Sequence, residues 1–290
     1  MRAVIDLHTH SRESDGSEPP AAVVERAAAA GCRAVALTDH DTMAGVPEAA
    51  ATARSAGIEL VSGCELSCLG PAPAGGAAAG GAHVLVYFAE GADGPLHDEL
   101  VRLRGDRARR NRAMIERLQA AGLPVTWDAV VARAGSAEGV GRPHVAAVLV
   151  ELGAAHDAQD AFDRWLVPGR PGYVPKARLR PADVAGLALA AGGVAVLAHP
   201  LSLGLAPAEL DRAVAELAAA GFAGIEAVYA RYRPDQRRQL ERLARRHGLV
   251  PTGGSDAHGA FTPDLAVGVG TGDLDVPDDR LDELAARRPG

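Results

Sequence analysis

The sequence predicts an α/β protein whose strands form a parallel sheet with helices packed against it. Short apolar runs alternate with longer amphipathic segments in the first and last parts of the chain. Strands that alternate with helices at this spacing form βα units with parallel strands. Residues of metal-binding type follow several of the apolar runs, and the active sites of α/β barrels lie where successive strands end. The 290 residues are enough to bury one large core.

The individual elements are predicted from apolar patterning and from helix boundary signals. The apolar runs typical of strands are residues 3–7, 34–38, 58–62, 83–88, 194–198, 224–228 and 249–252. Helices are predicted between them at residues 19–30, 46–56, 207–220 and 234–247. Pro19 lies where the first helix begins, and Gly31 and Gly57 follow the first two helices, as is usual at helix ends.

Residues 90–183 interrupt this alternation. They contain a long charged helix at 96–121, closed by Gly122, and shorter helices at 127–135, 145–153 and 159–166. We interpret this segment as a small, mostly helical insertion between two parts of the α/β fold, residues 1–89 and 184–290. The Ala- and Gly-rich segment 71–82 is predicted to be a loop.

Composition and charge exclude several classes of protein. The chain has 30 basic and 37 acidic residues and a net charge of -7, which argues against a broad basic face for nucleic acid but allows a small basic pocket. Three cysteines fit a reducing compartment without a disulfide framework. The N-terminal residues lack the apolar core of a signal peptide, and no apolar stretch reaches membrane-spanning length. We therefore expect a cytoplasmic protein, with no membrane association and no obligate protein partner.

Histidines and carboxylates concentrate at the ends of the predicted strands. Six of the ten histidines lie there, each near a carboxylate: His8, His10, His40, His83, His199 and His258. Two histidines separated by one residue in an extended chain point to the same side, so His8 and His10 can share one metal ion. A single histidine in such a place is usually an ordinary polar residue. Six of them together favour a polynuclear metal site.

The motifs that carry these residues resemble those of the PHP (polymerase and histidinol phosphatase) family. They are HTHS with Asp15 after it, TDHD, GCE, AHP and GSDAH, in this order along essentially the whole chain. Three cap segments, at 110–112, 140–146 (VGRPHVA) and 169–175 (GRPGYVP), resemble the branch that includes 3',5'-nucleotide bisphosphate phosphatases and 5'-to-3' exoribonucleases. The resemblance implies a distorted (β/α)7 barrel interrupted by a helical cap.

The resemblance also implies the metal ligands. One metal would be held by His8, His10, Glu65 and Asp256. Glu65 would bridge to a second metal, completed by His83 and His199, and Asp15, His40 and His258 would hold a third. About two or three divalent transition metals are therefore expected. Manganese is the expected metal by resemblance, and iron or zinc would suit the same nitrogen and oxygen ligands.

The implied reaction is hydrolysis of a phosphoester by a metal-bound hydroxide. The expected substrate is a small phosphorylated nucleotide or a short oligonucleotide, with removal of the 3'-phosphate of a 3',5'-nucleotide bisphosphate as the leading hypothesis. The alternatives are 5'-to-3' exoribonuclease action on short RNA, hydrolysis of a sugar phosphate or cyclic phosphate, and a non-catalytic module stabilised by metal. A second, uncleaved phosphate would suit the planar fork of Arg142.

Further roles are assigned to the remaining motif residues. Glu65, Asp256 and His199 are the predicted catalytic residues, with His199 as the candidate general acid. The residues predicted to bind substrate are Arg110, Asn111, Arg112, Arg142, His144 and Tyr173. The carboxylates predicted to orient metal-binding histidines are Asp6, Asp39, Asp41 and Glu226. Trp127 and Trp165 are interpreted as part of the cap core.

Overall fold

The fold was determined as a computed structural model that describes residues 4–71, 81–89, 94–137 and 139–289. Most of the predicted loop at 71–82 and the first residues of the predicted cap at 90–93 lie outside these ranges. None of the described helices is long and apolar enough to cross a membrane.

Seven strands form one sheet whose spatial order follows the chain. They are β1 (Val4–Asp6), β2 (Cys32–Leu37), β3 (Glu59–Leu69), β4 (Gly81–Tyr87), β5 (Val194–Leu197), β6 (Gly224–Tyr229) and β7 (Val250–Gly254). Backbone hydrogen bonds bring the two edges together: Leu7 N donates to Gly253 O at 3.1 Å, and Asp256 N donates to His8 O at 2.8 Å. The predicted barrel is confirmed, and these bonds place the ends of the first and last strands side by side.

The prediction of a wholly parallel sheet is wrong for β4. This strand is antiparallel to both β3 and β5, and its register with β3 runs from Gly63 opposite Tyr87 to Leu69 opposite Gly81. The reason is that β3 and β4 are adjacent in the chain as two strands of a hairpin, so no crossover returns the chain to the other end of the barrel. Because β4 is reversed, its beginning lies where the parallel strands end, and this places His83 at that end.

The described helices surround the sheet and build the cap. They are α1 (Pro20–Ala29), α2 (Val46–Ala56), α3 (Pro95–Ala120), α4 (Trp127–Ala134), α5 (Arg142–Glu151), α6 (Ala158–Ala161), α7 (Pro181–Ala190), α8 (Pro207–Ala219), α9 (Pro234–Arg246) and α10 (Asp279–Ala285). A π-helical turn, Phe162–Leu166, continues α6. The helix α7 is not predicted from the sequence, because its apolar residues occur on every side and so give no amphipathic period.

The longest helix, α3, connects the barrel to the cap. Leu96, Leu100 and Leu103 in its first half pack in an apolar cluster that also contains residues of β4, β5 and α7. Met114 and Leu118 in its second half pack in a separate cluster with residues of α4 and α5. The cap therefore has its own core and is held over the barrel by one continuous helix. The division at residues 90 and 183 stays a prediction.

Candidate metal centre

All nine predicted ligands lie together at one end of the barrel. Their positions follow from where the strands end: His8 and His10 follow β1, His40 follows β2, His199 follows β5, and Asp256 and His258 follow β7. Glu65 lies within β3, where that strand passes from pairing with β2 to pairing with β4, and His83 lies in the first half of β4. Asp15 lies in the loop before α1, beside His40 and His258.

Glu65 is the centre of this cluster. Its two carboxylate oxygens lie within 3.4 Å of a ring nitrogen in each of five histidines, His8, His10, His40, His83 and His199. The shortest of these distances, 2.8 Å, joins Oε1 to His83 Nδ1. Burial raises the pKa of Glu65, but the surrounding imidazoles hold it well below its usual range. The carboxylate is thus ionised and has both oxygens directed at different groups of histidines, as a bridging ligand requires.

Two further carboxylates complete the cluster. Asp256 Oδ1 lies 3.1 Å from His10 Nε2 and 3.4 Å from His8 Nε2. Asp15 lies on the other side, with Oδ1 3.3 Å from His258 Nε2. The side chains form three groups whose ligand atoms lie within 4.8 Å of one another: His8, His10 and Asp256; His10, Asp15, His40 and His258; and His40, Glu65 and His83. The third group contains His40 where the sequence analysis expected His199.

The charges around the histidines favour a cation at this site. Burial lowers the pKa of His40 to about 3, so its imidazole is neutral and can donate a lone pair. Burial also lowers the pKa of His10, but its hydrogen bonds with Asp256 and Glu65 outweigh this and raise it to about 10. Asp256 and Glu65 therefore strongly stabilise a positive charge at His10, even though this residue is buried.

Unsatisfied nitrogen atoms also fit metal binding. The buried Nδ1 atoms of His10 and His40 have no hydrogen-bond partner, and His40 Nδ1 lies 3.1 Å from Glu65 without the geometry of a hydrogen bond. The Nε2 atoms of His8 and His10 lie only 3.1 Å apart. Imidazole nitrogens and carboxylate oxygens are ligands that suit divalent transition metals. The residues present therefore fit the metals that the motifs imply.

Backbone strain is concentrated at the same place. Among the described non-glycine residues, four have positive φ, and three of them belong to this region: Asp41 (56°), His199 (25°) and Asp256 (55°). Such conformations cost energy and persist where the surroundings impose them, often at functional sites. Close approach of the strands is also required here, because a Cβ on Gly254 would lie 2.4 Å from the Cβ of His8.

Glu226 contacts two of the predicted ligands. Its Oε1 lies 3.0 Å from His8 Nδ1, and its Oε2 accepts a hydrogen bond from the backbone N–H of His199 at 2.8 Å. It therefore fixes the orientation of the His8 ring and leaves Nε2 facing the cluster. Both ring nitrogens of His199 have partners as well, Ser202 Oγ at 2.8 Å and Glu65 Oε1 at 3.2 Å.

The other three carboxylates expected to orient histidine rings act on the backbone or on other side chains. Asp6 accepts hydrogen bonds from the backbone N–H groups of His8, Ser255 and Gly268. Asp39 accepts hydrogen bonds from the Ser11 and Ser14 side chains and from Ser11 N–H, and so fixes the loop that carries Asp15. Asp41 forms an ion pair with Lys176 at 2.7 Å. Among the described residues these three carboxylates have no hydrogen bond to a histidine ring, and their role in orienting the histidines stays a prediction.

A cavity of about 120 Å³ lies between the metal centre and the cap. Its wall includes the predicted ligands Asp15, His40 and His83 on the barrel side. The other sides of the wall include four cationic side chains: Arg107, Arg110, Arg142 and Lys176. The cavity, called the cationic cavity below, thus opens directly onto the metal centre.

The cations of this cavity repel one another. Burial and the charges of Arg142 and Arg107 together lower the pKa of Arg110 to about 10. Burial also lowers the pKa of Arg142; the charges of Asp15 and Tyr173 oppose this, and Arg178 and Arg107 lower it further. Among the described residues, no ion pair or hydrogen bond involves the Arg142 guanidinium. Its neighbour Arg110 does have a partner, because its Nε donates a hydrogen bond to Val174 O at 3.0 Å. Crowded, partly buried cations of this kind favour binding of an anion.

Lys176 and Arg107 were missed as site residues. Lys176 Nζ lies 2.7 Å from Asp41 Oδ2 and 2.6 Å from Ser67 Oγ, and Arg107 Nη1 donates to His40 O at 3.2 Å. The sequence contains a signal for Lys176: it is the only lysine, and all other residues counted as basic are arginines. Arg107 lies one turn before Arg110 on α3 and so on the same face, but the sequence shows it only as one of many charged residues of the long helix predicted at 96–121.

Two residues of the 110–112 motif lie away from the cavity. Asn111 is buried and donates from Nδ2 to Val140 O at 2.7 Å, so it holds the segment before α5 in place. Arg112 is exposed and lies over the ring of Trp127, with Cζ 4.2 Å from the ring centroid. The structure therefore gives both residues contacts within the cap. Of this motif, only Arg110 lies on the cavity wall.

His144 also has a contact within the cap. Its Nδ1 accepts a hydrogen bond from Gly141 N–H at 3.0 Å, and its ring packs edge-on against Phe261 at 4.8 Å. It thereby fixes the backbone that leads into Arg142. Tyr173 lies close enough to Arg110 and Arg142 to raise the pKa of both, so it is a neighbour of the cavity, and its role in substrate binding stays a prediction.

Tyr229, at the end of β6, is a further residue of the site that the sequence analysis missed. Its hydroxyl donates a hydrogen bond to Asp256 Oδ2 at 2.9 Å, and its ring lies 5.6 Å from that of His199. This bond leaves Asp256 Oδ1 directed at His8 and His10. The predicted strand ended at residue 228, one residue too early to include it.

We expect Tyr229→Phe to weaken metal binding roughly 10- to 100-fold, the usual effect of losing a hydrogen bond to a metal ligand. Titration of metal-free protein with Mn²⁺ by calorimetry measures this. Tyr232→Phe is the matched control, because the Tyr232 hydroxyl accepts a hydrogen bond from Leu201 N–H and contacts no predicted ligand. Equal metal affinity in the parent and in Tyr229→Phe would show that the hydrogen bond has no positioning role.

The chain is similar to known proteins over most of its length. The family model of the PHP domain matches residues 6–103. A 3',5'-nucleoside bisphosphate phosphatase from Chromobacterium violaceum is 36% identical over 256 residues, which cover 88% of this chain and 87% of that protein. The chain belongs to the PHP family. Members of this family related to it are named as phosphatase, exoribonuclease and diesterase, and the chain is accordingly a hydrolase of phosphoester bonds.

Other PHP proteins are similar over the same length. The 5'-3' exoribonuclease Rnm of Salmonella typhimurium is 33% identical over 257 residues, covering 88% of this chain and 85% of that protein. The crystal structure of a protein from Bifidobacterium adolescentis, described as a metal-dependent phosphoesterase, superimposes with a TM-score of 0.84 and 32% identity and covers 99% of this chain and 97% of that one. The similarity thus includes both the barrel and the cap.

Proposed function

We propose that this PHP protein removes the 3'-phosphate from a nucleoside 3',5'-bisphosphate. The observation that carries the proposal is the cationic cavity, whose wall shares His40, His83 and Asp15 with the metal centre. A phosphate at the metal centre would therefore have room for a second anionic group beside it. The 3',5'-nucleoside bisphosphate phosphatase of Chromobacterium violaceum, at 36% identity, supports the same substrate class.

The residues of the chain would divide the two phosphates between them. Divalent metals held by the nine ligands would supply positive charge for the oxygens of the cleaved phosphate and a water of lowered pKa. Arg142 would bind the uncleaved phosphate through two parallel N–H groups of its guanidinium. Lys176 would add a point charge, held in place by Asp41 and Ser67. The cap, which carries Arg142, would limit the entry of bulk water.

A second candidate is 5'-to-3' exoribonuclease activity on short RNA. The Salmonella typhimurium relative supports it, since that protein is named a 5'-3' exoribonuclease. The same cavity could bind the 5'-phosphate of an RNA while the next phosphate lies at the metal centre. The net charge of -7 disfavours binding of a long strand and leaves short oligonucleotides as the candidates.

A comparison of substrates tests the proposal. Purified protein with Mn²⁺ would be incubated with adenosine 3',5'-bisphosphate, the two adenosine monophosphates and a 5'-phosphorylated RNA of a few nucleotides. We expect the bisphosphate to give the highest kcat/KM, because it alone among the mononucleotides fills both anion positions. Faster cleavage of the RNA would support the exoribonuclease, and equal rates on mono- and bisphosphate would contradict both.

A further inference from the structure

The wall of the cationic cavity contains one aromatic side chain besides the histidines, that of Phe162. The ring is half-buried, and the Arg142 guanidinium carbon lies 5.6 Å from its centroid. The other wall residues on the cap side are Arg107, Arg110, Gly141, Arg142, Pro143 and Lys176. An apolar ring therefore lies beside the guanidinium that we assign to the uncleaved phosphate.

The backbone at Phe162 has an uncommon form that explains this placement. The helix α6 has only four residues and continues directly into the π-helical turn, in which Val167 N donates to Phe162 O at 3.2 Å. Ala161 and Leu166 are both fully buried in the cap core. Residues five apart share a face in a π-helix but not in an α-helix. The wider turn therefore buries both Ala161 and Leu166, while Phe162 lies at the cavity. Such turns are rare and occur frequently at functional sites.

The two tryptophans of the cap have other contacts. Trp127 is covered on one face by Arg112. Trp165 Nε1 donates a hydrogen bond to Ala154 O at 3.1 Å, and its ring, like that of Phe162, packs partly against the cap core. Neither lies on the wall of the cationic cavity. Phe162 is thus the ring on that wall with which a flat ligand group could stack.

We infer that Phe162 is the stacking surface for the nucleobase of the substrate. The inference rests on the proposed function and adds the base to it, since a wall made of cations alone would recognise phosphates and ignore the base. Nucleotides combine phosphates with a flat aromatic group, and stacking of a base on an aromatic side chain accepts any base, because every base has a π-face. We therefore expect a preference for base-bearing substrates with little discrimination among the bases.

The test compares a substrate with a base and one without it. We expect the parent to hydrolyse adenosine 3',5'-bisphosphate with a kcat/KM about 5- to 150-fold above that for 1-O-methylribose 3,5-bisphosphate, the range for one stacked base. Phe162→Leu should lose most of this preference by slowing the adenosine substrate alone, and Phe162→Tyr should retain it. Phe88→Leu is the matched control, because Phe88 also lies beside an arginine, with Arg288 5.3 Å from its ring, but is not on the cavity wall.

The outcomes separate this inference from the proposed function. Absence of hydrolysis of either bisphosphate by the parent would refute the proposed function. Hydrolysis of both at equal rates by the parent would overturn the role of Phe162 while leaving that function standing. An equal loss on both substrates in Phe162→Leu, at an unchanged melting temperature, would also overturn it. If Phe162→Leu lowers the melting temperature, Phe162→Met, which keeps the side-chain bulk without a ring, must lose the preference instead.

Discussion

Glu65→Gln is expected to reduce phosphate release below detection and to lower the metal content of the purified protein. The carboxylate oxygens lie within 3.4 Å of five histidine rings, and the amide would remove the negative charge and direct an N–H group at these nitrogens. Two metal positions should weaken together, because one carboxylate serves both. Phosphate release and elemental analysis measure the two effects.

The matched control for Glu65 is Glu59→Gln on the same strand. Glu59 is exposed at the beginning of β3, so this variant removes one charge from the strand without approaching the cluster. It should retain the metal content and the rate of the parent. A Glu65→Gln protein with normal metal content and a nearly normal rate would mean that Glu65 does not bridge metals.

Arg142→Ala is expected to lower kcat/KM for a nucleoside bisphosphate by about 2–4 kcal/mol, or about 30- to 900-fold. The side chain lies on the cavity wall, where the charge of Asp15 acts on it but no ion pair among the described residues holds it, so a bound phosphate would give it a direct anionic contact. Hydrolysis of nitrophenyl phosphate should change little, because this substrate has no second phosphate. The two rates, measured with the same enzyme preparation, separate recognition from chemistry.

Arg112→Ala is the control for Arg142. Arg112 belongs to the same family motif as Arg110, but it is exposed and stacks on Trp127. We expect this variant to act on both substrates at nearly the rate of the parent. For Arg142→Ala, an equal loss on both substrates, or a large fall in melting temperature, would assign Arg142 a structural role.

The metal centre could be predicted from the sequence because its residues depend on local features. His8 and His10 face the same side wherever the chain is extended, and the ends of parallel strands meet at one end of a barrel whatever the details of packing. The positions of Glu65 and His83 do not follow from these local features, since Glu65 lies inside β3 and His83 lies at the beginning of a reversed strand. Their place in the cluster came from the family resemblance and not from the apolar pattern.

The cap was harder to predict because its site residues depend on which face of α3 turns inward. Arg110 and Asn111 are adjacent in the chain, yet the first lies on the cavity wall and the second is bonded to Val140 O. Packing of Met114 and Leu118 into the cap core sets this rotation of the helix, and no sequence motif encodes it. Lys176 is bound to Asp41, which is 135 positions earlier in the chain, so only the folded structure brings the two together.

Identification of the product tests the central claim most directly. Metal-free protein would be reconstituted with Mn²⁺ and given adenosine 3',5'-bisphosphate, and the nucleotide product would be separated by chromatography. If the metal centre cleaves the 3'-phosphate while the cationic cavity binds the other phosphate, the product is adenosine 5'-monophosphate, formed only after Mn²⁺ is added and not converted further to adenosine. Formation of adenosine 3'-monophosphate, or equal release of phosphate without metal, would contradict this account.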